Sequence, residues 1–273
     1  MLKRVCAMYW SATGTTEKIV DTIAREVAKR LEVPLVQYDF TLPSARQDAA
    51  VFGKEDLVVF GTPTYAGRVP NVLLPYLNTI SGEQTLAVPV VTFGNRAFDD
   101  SLIELRDILS AQGFIPFAAA AFVGEHSFST VLAAKRPDAS DVAQAVQFAE
   151  LLIKRLPEVH TDTSPVVVPG RDKAERKYYQ PRDRAGRAID IRKVKPKVNE
   201  QCDDCGLCAR ICPMGSNSPE NVREYIGICI KCGACIKKCP SGARYYDDAN
   251  YLYHKTELEE GYQRRADNVW FGV

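Results

Sequence analysis

Short, mainly apolar runs alternate along the first half of the chain with stretches in which Ile, Val, Leu and Ala recur every three or four residues. The runs "RVCAMY", "VPLVQYDF", "DLVVFGTP", "LAVPVVTFG" and "FIPFAAAAFV" predict five buried strands. Between and after them, positions 16–31, 70–80, 99–111 and 139–156 predict helices with one apolar face. Strands that are apolar on both faces and separated by helices imply a mainly parallel sheet covered on both sides, a doubly wound α/β domain.

The texture changes after Pro157. Thr, Ser, Pro and Gly dominate as far as Gly170, and Arg and Lys crowd the stretch to Lys197. This reads as a basic connector draped over the domain surface, its charges open to solvent, to an acidic partner or to a cofactor phosphate. Beyond it lie eight of the nine cysteines, between Cys202 and Cys239, and then a tail carrying Tyr251, Tyr253, Tyr262, Trp270 and Phe271, rings expected to bring it back onto a domain. The expected division is therefore 1–158, a connector at 159–198, a cysteine-rich domain at 199–246 and a tail at 247–273.

Composition narrows the classes. The 273 residues are 46% hydrophobic and 25% charged, with a formal net charge of +1, so no global field points to nucleic acid or an anionic membrane. The N-terminal residues lack the apolar core of a signal peptide, and the run from Phe114 is too short to span a bilayer. The expectation is a soluble cytoplasmic protein with no membrane insertion, and cysteines that bind metal rather than form disulfides.

"CDDCGLCARICP" begins at Cys202 and "CIKCGACIKKCP" at Cys229, so the spacing C-x2-C-x2-C-x3-C-P occurs twice. Three thiolates on one tight turn wrap three corners of a cubane, while the fourth, one residue further on and followed by proline, is aimed away. Gly206 and Gly233 let each turn approach closely. Paired zinc sites are the alternative, but zinc ribbons separate their C-x2-C knuckles by longer loops and do not add a third cysteine so soon. The segment resembles a bacterial-type ferredoxin over nearly all of 199–246. In two-cluster ferredoxins the fourth cysteine ligates the other cluster. The resemblance thus implies one [4Fe-4S] cluster on Cys202, Cys205, Cys208 and Cys239, and another on Cys229, Cys232, Cys235 and Cys212. Cys6, inside the first strand, reads as a small core residue.

"YWSATGTTEKIV" ends a strand and opens a helix with hydroxyl residues around one glycine. Backbone amides at a helix start, joined by hydroxyls, suit a phosphate without a lysine. Ser11, Ala12, Thr13, Gly14, Thr15 and Thr16 match the flavodoxin phosphate loop, (Ser or Thr)-x-Thr-Gly-x-Thr. The loops "GTPTYAGRVP" and "FGNRAFDD" resemble flavodoxin ring-binding loops. They contribute Thr62, Pro63, Thr64, Tyr65, Gly67 and Arg68 in one, and Gly94, Asn95, Arg96 and Phe98 in the other. The chain thus resembles a fused flavodoxin/ferredoxin protein, which implies strand order 2-1-3-4-5, a bound FMN, and Tyr65 and Phe98 as stacking candidates. Arg68 and Arg96 depart from the acidic surroundings of low-potential flavodoxins; beside the ring they would raise its potential unless Asp99 and Asp100 offset them. In "GEHSFS", His126 is the candidate proton donor, with Glu125 beside it.

The resemblance implies an electron relay between two [4Fe-4S] clusters and FMN, exchanging electrons with a redox partner protein, in an anaerobic or microaerophilic cytoplasm. A flavin-dependent reductase of a small substrate fed by the clusters is the second expectation, and a redox or iron sensor the third. A homodimer is compatible with the connector.

Overall fold

The computed structural model describes residues 2–273. Strands β1 (Arg4–Tyr9), β2 (Leu35–Asp39), β3 (Asp56–Pro63) and β4 (Thr85–Phe93) pair in parallel in the order β2-β1-β3-β4. Helices α1 (Thr15–Leu31), α2 (Leu74–Leu77) and α3 (Ser101–Ala111) connect them to one another and to the strands that follow. Side chains alternate along β1: Cys6 and Met8 enter one core, Val5, Ala7 and Tyr9 the other. A central strand feeding both cores is what an unbroken apolar run predicts. Ile19, Val20, Ile23, Ala24, Val27 and Ala28 line the buried stripe of α1, which stops at Glu32 in the left-handed region. Cys6 is fully buried, which pushes its thiol up to about 12, and it acts as core.

Two expected elements are divided. Positions 70–80 form a single turn of 3-10 helix, Asn71–Leu73, and then the four residues of α2, because Pro75 has no amide for the fourth-neighbour bond a longer helix needs. The fifth strand is β5 (Phe114–Pro116) and β6 (Ala119–Val123), both parallel to β4, with a break at Phe117 and Ala118. Helix α4 (Ala139–Arg155) covers the second core with α1.

The connector and tail finish this edge. Val166 donates its amide to the Pro116 carbonyl at 2.8 Å. Beyond the cysteines, whose region holds β7 (Lys197–Val198), α5 (Leu207–Arg210), α6 (Ala234–Lys237) and β8 (Arg244–Tyr245), the tail forms α7 (Ala249–Gly261) and β9 (Val269–Phe271). Strand β9 pairs antiparallel with β6, so the sheet gains an edge strand of opposite direction, and Trp270 stacks on Phe148 of α4. The connector is less open than its composition suggests. Arg171, Arg176, Arg184, Arg187 and Arg192 each pair with a carboxylate of this chain. No helix among the described residues is long and apolar enough to cross a membrane.

Candidate functional site

Strand β1 delivers the chain to a turn that Gly14, at φ 92, closes in the left-handed region at the head of α1. The Glu17 amide donates to Ser11 Oγ at 3.0 Å and the Lys18 amide to the Gly14 carbonyl at 3.0 Å. Among the described residues the amides of positions 13–16 find no protein acceptor. Above them opens a cavity of about 460 Å³, open to solvent, at the carboxyl ends of β1, β3, β4 and β6, bounded by positions 11–13, 15, 16, 63–65, 92–94 and 124–127. It lies at the place where strand order reverses, where open α/β sheets bind ligands. Orphan amides at a helix start with Thr13, Thr15 and Ser11 hydroxyls beside them fit a phosphate group. Replacing Gly14 with alanine forces a side chain into the left-handed region and costs about 1 kcal/mol. Because the same residue aims the amides, affinity for a phosphate ester should fall at least roughly tenfold, read with FMN as the probe by quenching of its fluorescence during titration of the protein. Unchanged affinity would detach the loop from phosphate binding.

The other expected residues divide. Pro63, Thr64, Tyr65, Gly94 and His126 border this cavity. Thr62 is fully buried beneath it, its hydroxyl without a protein partner. Gly67, Arg68, Asn95, Arg96 and Phe98 do not line it, and both expected cations are engaged elsewhere. Arg68 donates to Glu104 from Nε at 2.7 Å and lies under the Tyr178 ring. Arg96 pairs with Asp99 and lies over the Tyr179 ring at 4.3 Å. Both guanidiniums therefore hold the connector. Asp100 is taken by Arg171. Asn95 donates to the carbonyls of Tyr262 and Arg264 and accepts from the Ala266 amide, which anchors the tail. Phe98 meets Phe93 edge to face at 5.5 Å, a packing role.

His126 is not an acid in this setting. Its Nδ1 accepts the Phe128 amide at 3.1 Å, which leaves the proton on Nε2. Burial first, then the charges of Lys237, His254 and Arg96, push the imidazole down to about 3. It can donate a hydrogen bond into the cavity, not a proton from an imidazolium. Its folded value lies below the ordinary 6.5, so its contribution to stability is present above that pH and lost as pH falls toward 3. Between pH 7 and 4.5 the loss should be about 2.5 kcal/mol. Urea midpoints of the protein and of His126→Gln compare the two slopes; parallel slopes contradict the assignment.

The eight remaining cysteines surround two cavities instead of converging on a point. One, of about 360 Å³, is bordered by Cys212, Cys229, Cys232 and Cys235. The other, of about 320 Å³, is bordered by Cys202, Cys205, Cys208 and Cys239, with Cys235 also reaching it. In each, the fourth cysteine of one run joins three of the other. Gly206 and Gly233, at φ 70 and 77, turn the chain after the second cysteine of each run. The donors are suited to sulfur anions: the Ser216 amide lies 3.2 Å from Cys212 Sγ, and the buried Tyr246 hydroxyl at the wall of the larger cavity has no protein partner.

These cavities sit against the first domain. Lys237 of α6 donates to the His126 and Ser129 carbonyls at 2.8 and 2.7 Å and pairs with Glu125. Arg46 donates to the Pro213 carbonyl at 2.7 Å. Tyr65, in the wall of the first cavity, packs in the same core as Cys232 and Ala234 and meets Trp10 edge to face at 5.8 Å. Burial, then neighbouring Cys232 and Cys229, holds its phenol well above its ordinary value.

Residues 201–244 match the family model of a 4Fe-4S dicluster domain. The chain joins a flavodoxin-like domain to this iron-sulfur domain. The archaeal flavodoxin superposes with 10% identity and a TM-score of 0.40, over 56% of this chain and 99% of its own. For oxidised Flavodoxin 2 of Bacillus cereus the values are 17%, 0.39, 56% and 99%. Rubredoxin oxygen:oxidoreductase of Desulfovibrio gigas gives 18% and 0.41, over 57% of this chain and 36% of its own. Strand order, not these superpositions, establishes the first domain's fold. No curated protein matches significantly. Together the two domains are those of an electron-transfer or redox protein.

Proposed function

We propose that this protein relays electrons between FMN, held over α1, and two [4Fe-4S] clusters, and from these to a redox partner protein. Bound FMN exchanges one or two electrons and each cubane one. Residues 11–16 hold the phosphate, with Tyr65 and Gly94 along the cavity wall. Cys229, Cys232, Cys235 and Cys212 hold one cluster, and Cys202, Cys205, Cys208 and Cys239 the other.

The observation that carries the reading is Tyr65, which borders the flavin cavity and packs in one core with Cys232. Cys235 borders both cysteine cavities, and the exposed Cys205 brings the first run to solvent, where a partner can approach. The order in space is flavin cavity, second run, first run, surface. A small-substrate reductase needs a proton source, and His126 is held neutral. The test begins with anaerobic quantitation, expected to give about eight iron, about eight sulfide and about one FMN per chain. Rapid mixing with a one-electron reductant should then show flavin bleaching at a rate independent of protein concentration. A rate proportional to concentration would mean transfer between molecules and defeat the relay.

A further inference from the structure

Arg244 opens β8 and is 3% exposed, yet among the described residues no carboxylate pairs with it. Its guanidinium donates to Asn217 Oδ1 and the Tyr225 hydroxyl, both at 2.8 Å, and to the Val222 carbonyl, all neutral acceptors. The remaining contact, at 3.0 Å, is Cys208 Sγ. A buried guanidinium with no anion carries a large desolvation penalty. Arg136, at 6% exposed, has Asp141, and the buried Arg176 side chain has Asp107. What Arg244 faces instead is the cavity of Cys202, Cys205, Cys208 and Cys239.

The second cavity is furnished differently. Lys231 lies at its wall, but its ammonium is turned to the carbonyls of Arg192 and Cys229, at 3.0 and 3.1 Å. The hydrogen-bond donors beside its sulfurs are neutral, the Ser216 amide and the unpartnered Tyr246 hydroxyl; the Arg244 charge also reaches Cys235, which borders both cavities, but the sulfur its guanidinium donates to is that of Cys208. Lys238 adds a further positive charge at the first cavity.

We propose that Arg244 is the counter-ion of the cluster held by Cys202, Cys205, Cys208 and Cys239, and that its charge makes this the higher-potential cluster of the two. A fixed cation at one sulfur favours the reduced, more negative form. Electrons entering through the second run therefore come to rest on the first, beside the exposed Cys205. The relay gains a direction, outward from the flavin cavity. This rests on the two-cluster reading above.

The experiment is a redox titration of the intact protein and of Arg244→Gln, followed by absorbance, with iron and sulfide assayed in the same samples. In the variant the higher of the two cluster waves should fall roughly a hundredfold in reduced-to-oxidised ratio at fixed poise, ~118 mV for one electron, and the lower wave should move less than tenfold. With iron retained, unmoved waves or a larger shift of the lower wave overturn the assignment. If Arg244→Gln loses about half of the iron, Arg244→Lys decides. Retained iron with the higher wave near its original position supports a role for the charge, and loss of iron there too overturns it. Iron and sulfide far below about eight each in the unaltered protein would strike the two-cluster reading itself, before any variant is compared.

Discussion

Serine in place of Cys212 should empty the cavity of the other run. Cys212 stands with Cys229, Cys232 and Cys235, its Sγ 3.2 Å from the Ser216 amide, and not with the three cysteines that precede it in sequence. A hydroxyl at this corner is a poor ligand for iron that favours thiolates. Iron should fall from about eight to about four per chain. Alkylation followed by peptide mapping identifies which thiols are freed. Cys229, Cys232 and Cys235 should become reactive in Cys212→Ser, while Cys202, Cys205 and Cys208 stay protected. Cys239→Ser should give the mirror image, because Cys239 borders the cavity of the first run. If each substitution instead frees the thiols of its own run, every four-cysteine segment binds alone and the exchange is wrong.

The grouping of the eight cysteines around two cavities was legible because the spacing of the two runs is local. Gly206 and Gly233 turn each run after its second cysteine, and the surrounding fold brings the two runs together. The sheet was legible for a related reason, since the alternation of Val5, Ala7 and Tyr9 against Cys6 and Met8 states that β1 is central. The break between β5 and β6 was not. Phe117 and Ala118 are as apolar as their neighbours, and the edge there is completed by Val166 and β9 from distant sequence. Helix α7 had a signal, Tyr251, His254 and Leu258 at helical spacing on its buried side, but charged residues surround them. Arg68, Arg96, Asn95 and Phe98 lie in the loops the motif indicates. Their partners are Glu104, Asp99, the connector tyrosines, positions 262–266 and Phe93, and most of these reach them through tertiary structure. A motif places the loop; the three-dimensional neighbours decide which side chains face the ligand.

The two glycines of the cysteine runs offer a matched comparison that isolates the junction of the domains. Gly206 and Gly233 occupy the same place in the repeat, with φ of 70 and 77, so alanine at either should cost about 1 kcal/mol for left-handed backbone. Their surroundings differ. A Cβ at Gly206 would meet only the flexible Arg210 side chain, at 3.1 Å. At Gly233 it would lie 2.5 Å from the Ser127 carbonyl oxygen, in the loop that Lys237 also grips and that borders the flavin cavity. Backbone cannot yield as a side chain does, so Gly233→Ala must move the second run away from positions 125–129. Both variants should keep their iron. Gly206→Ala should lose roughly 1 kcal/mol of stability and transfer electrons to flavin at the original rate. Gly233→Ala should lose roughly 2–3 kcal/mol and slow that transfer at least roughly tenfold. The measurements are denaturant midpoints and the rate of flavin bleaching after rapid reduction. If the two variants slow transfer equally, the contact at Ser127 does not set the path. If only Gly233→Ala is slow, electrons pass between the domains across the ground that Gly233 keeps clear of side chains.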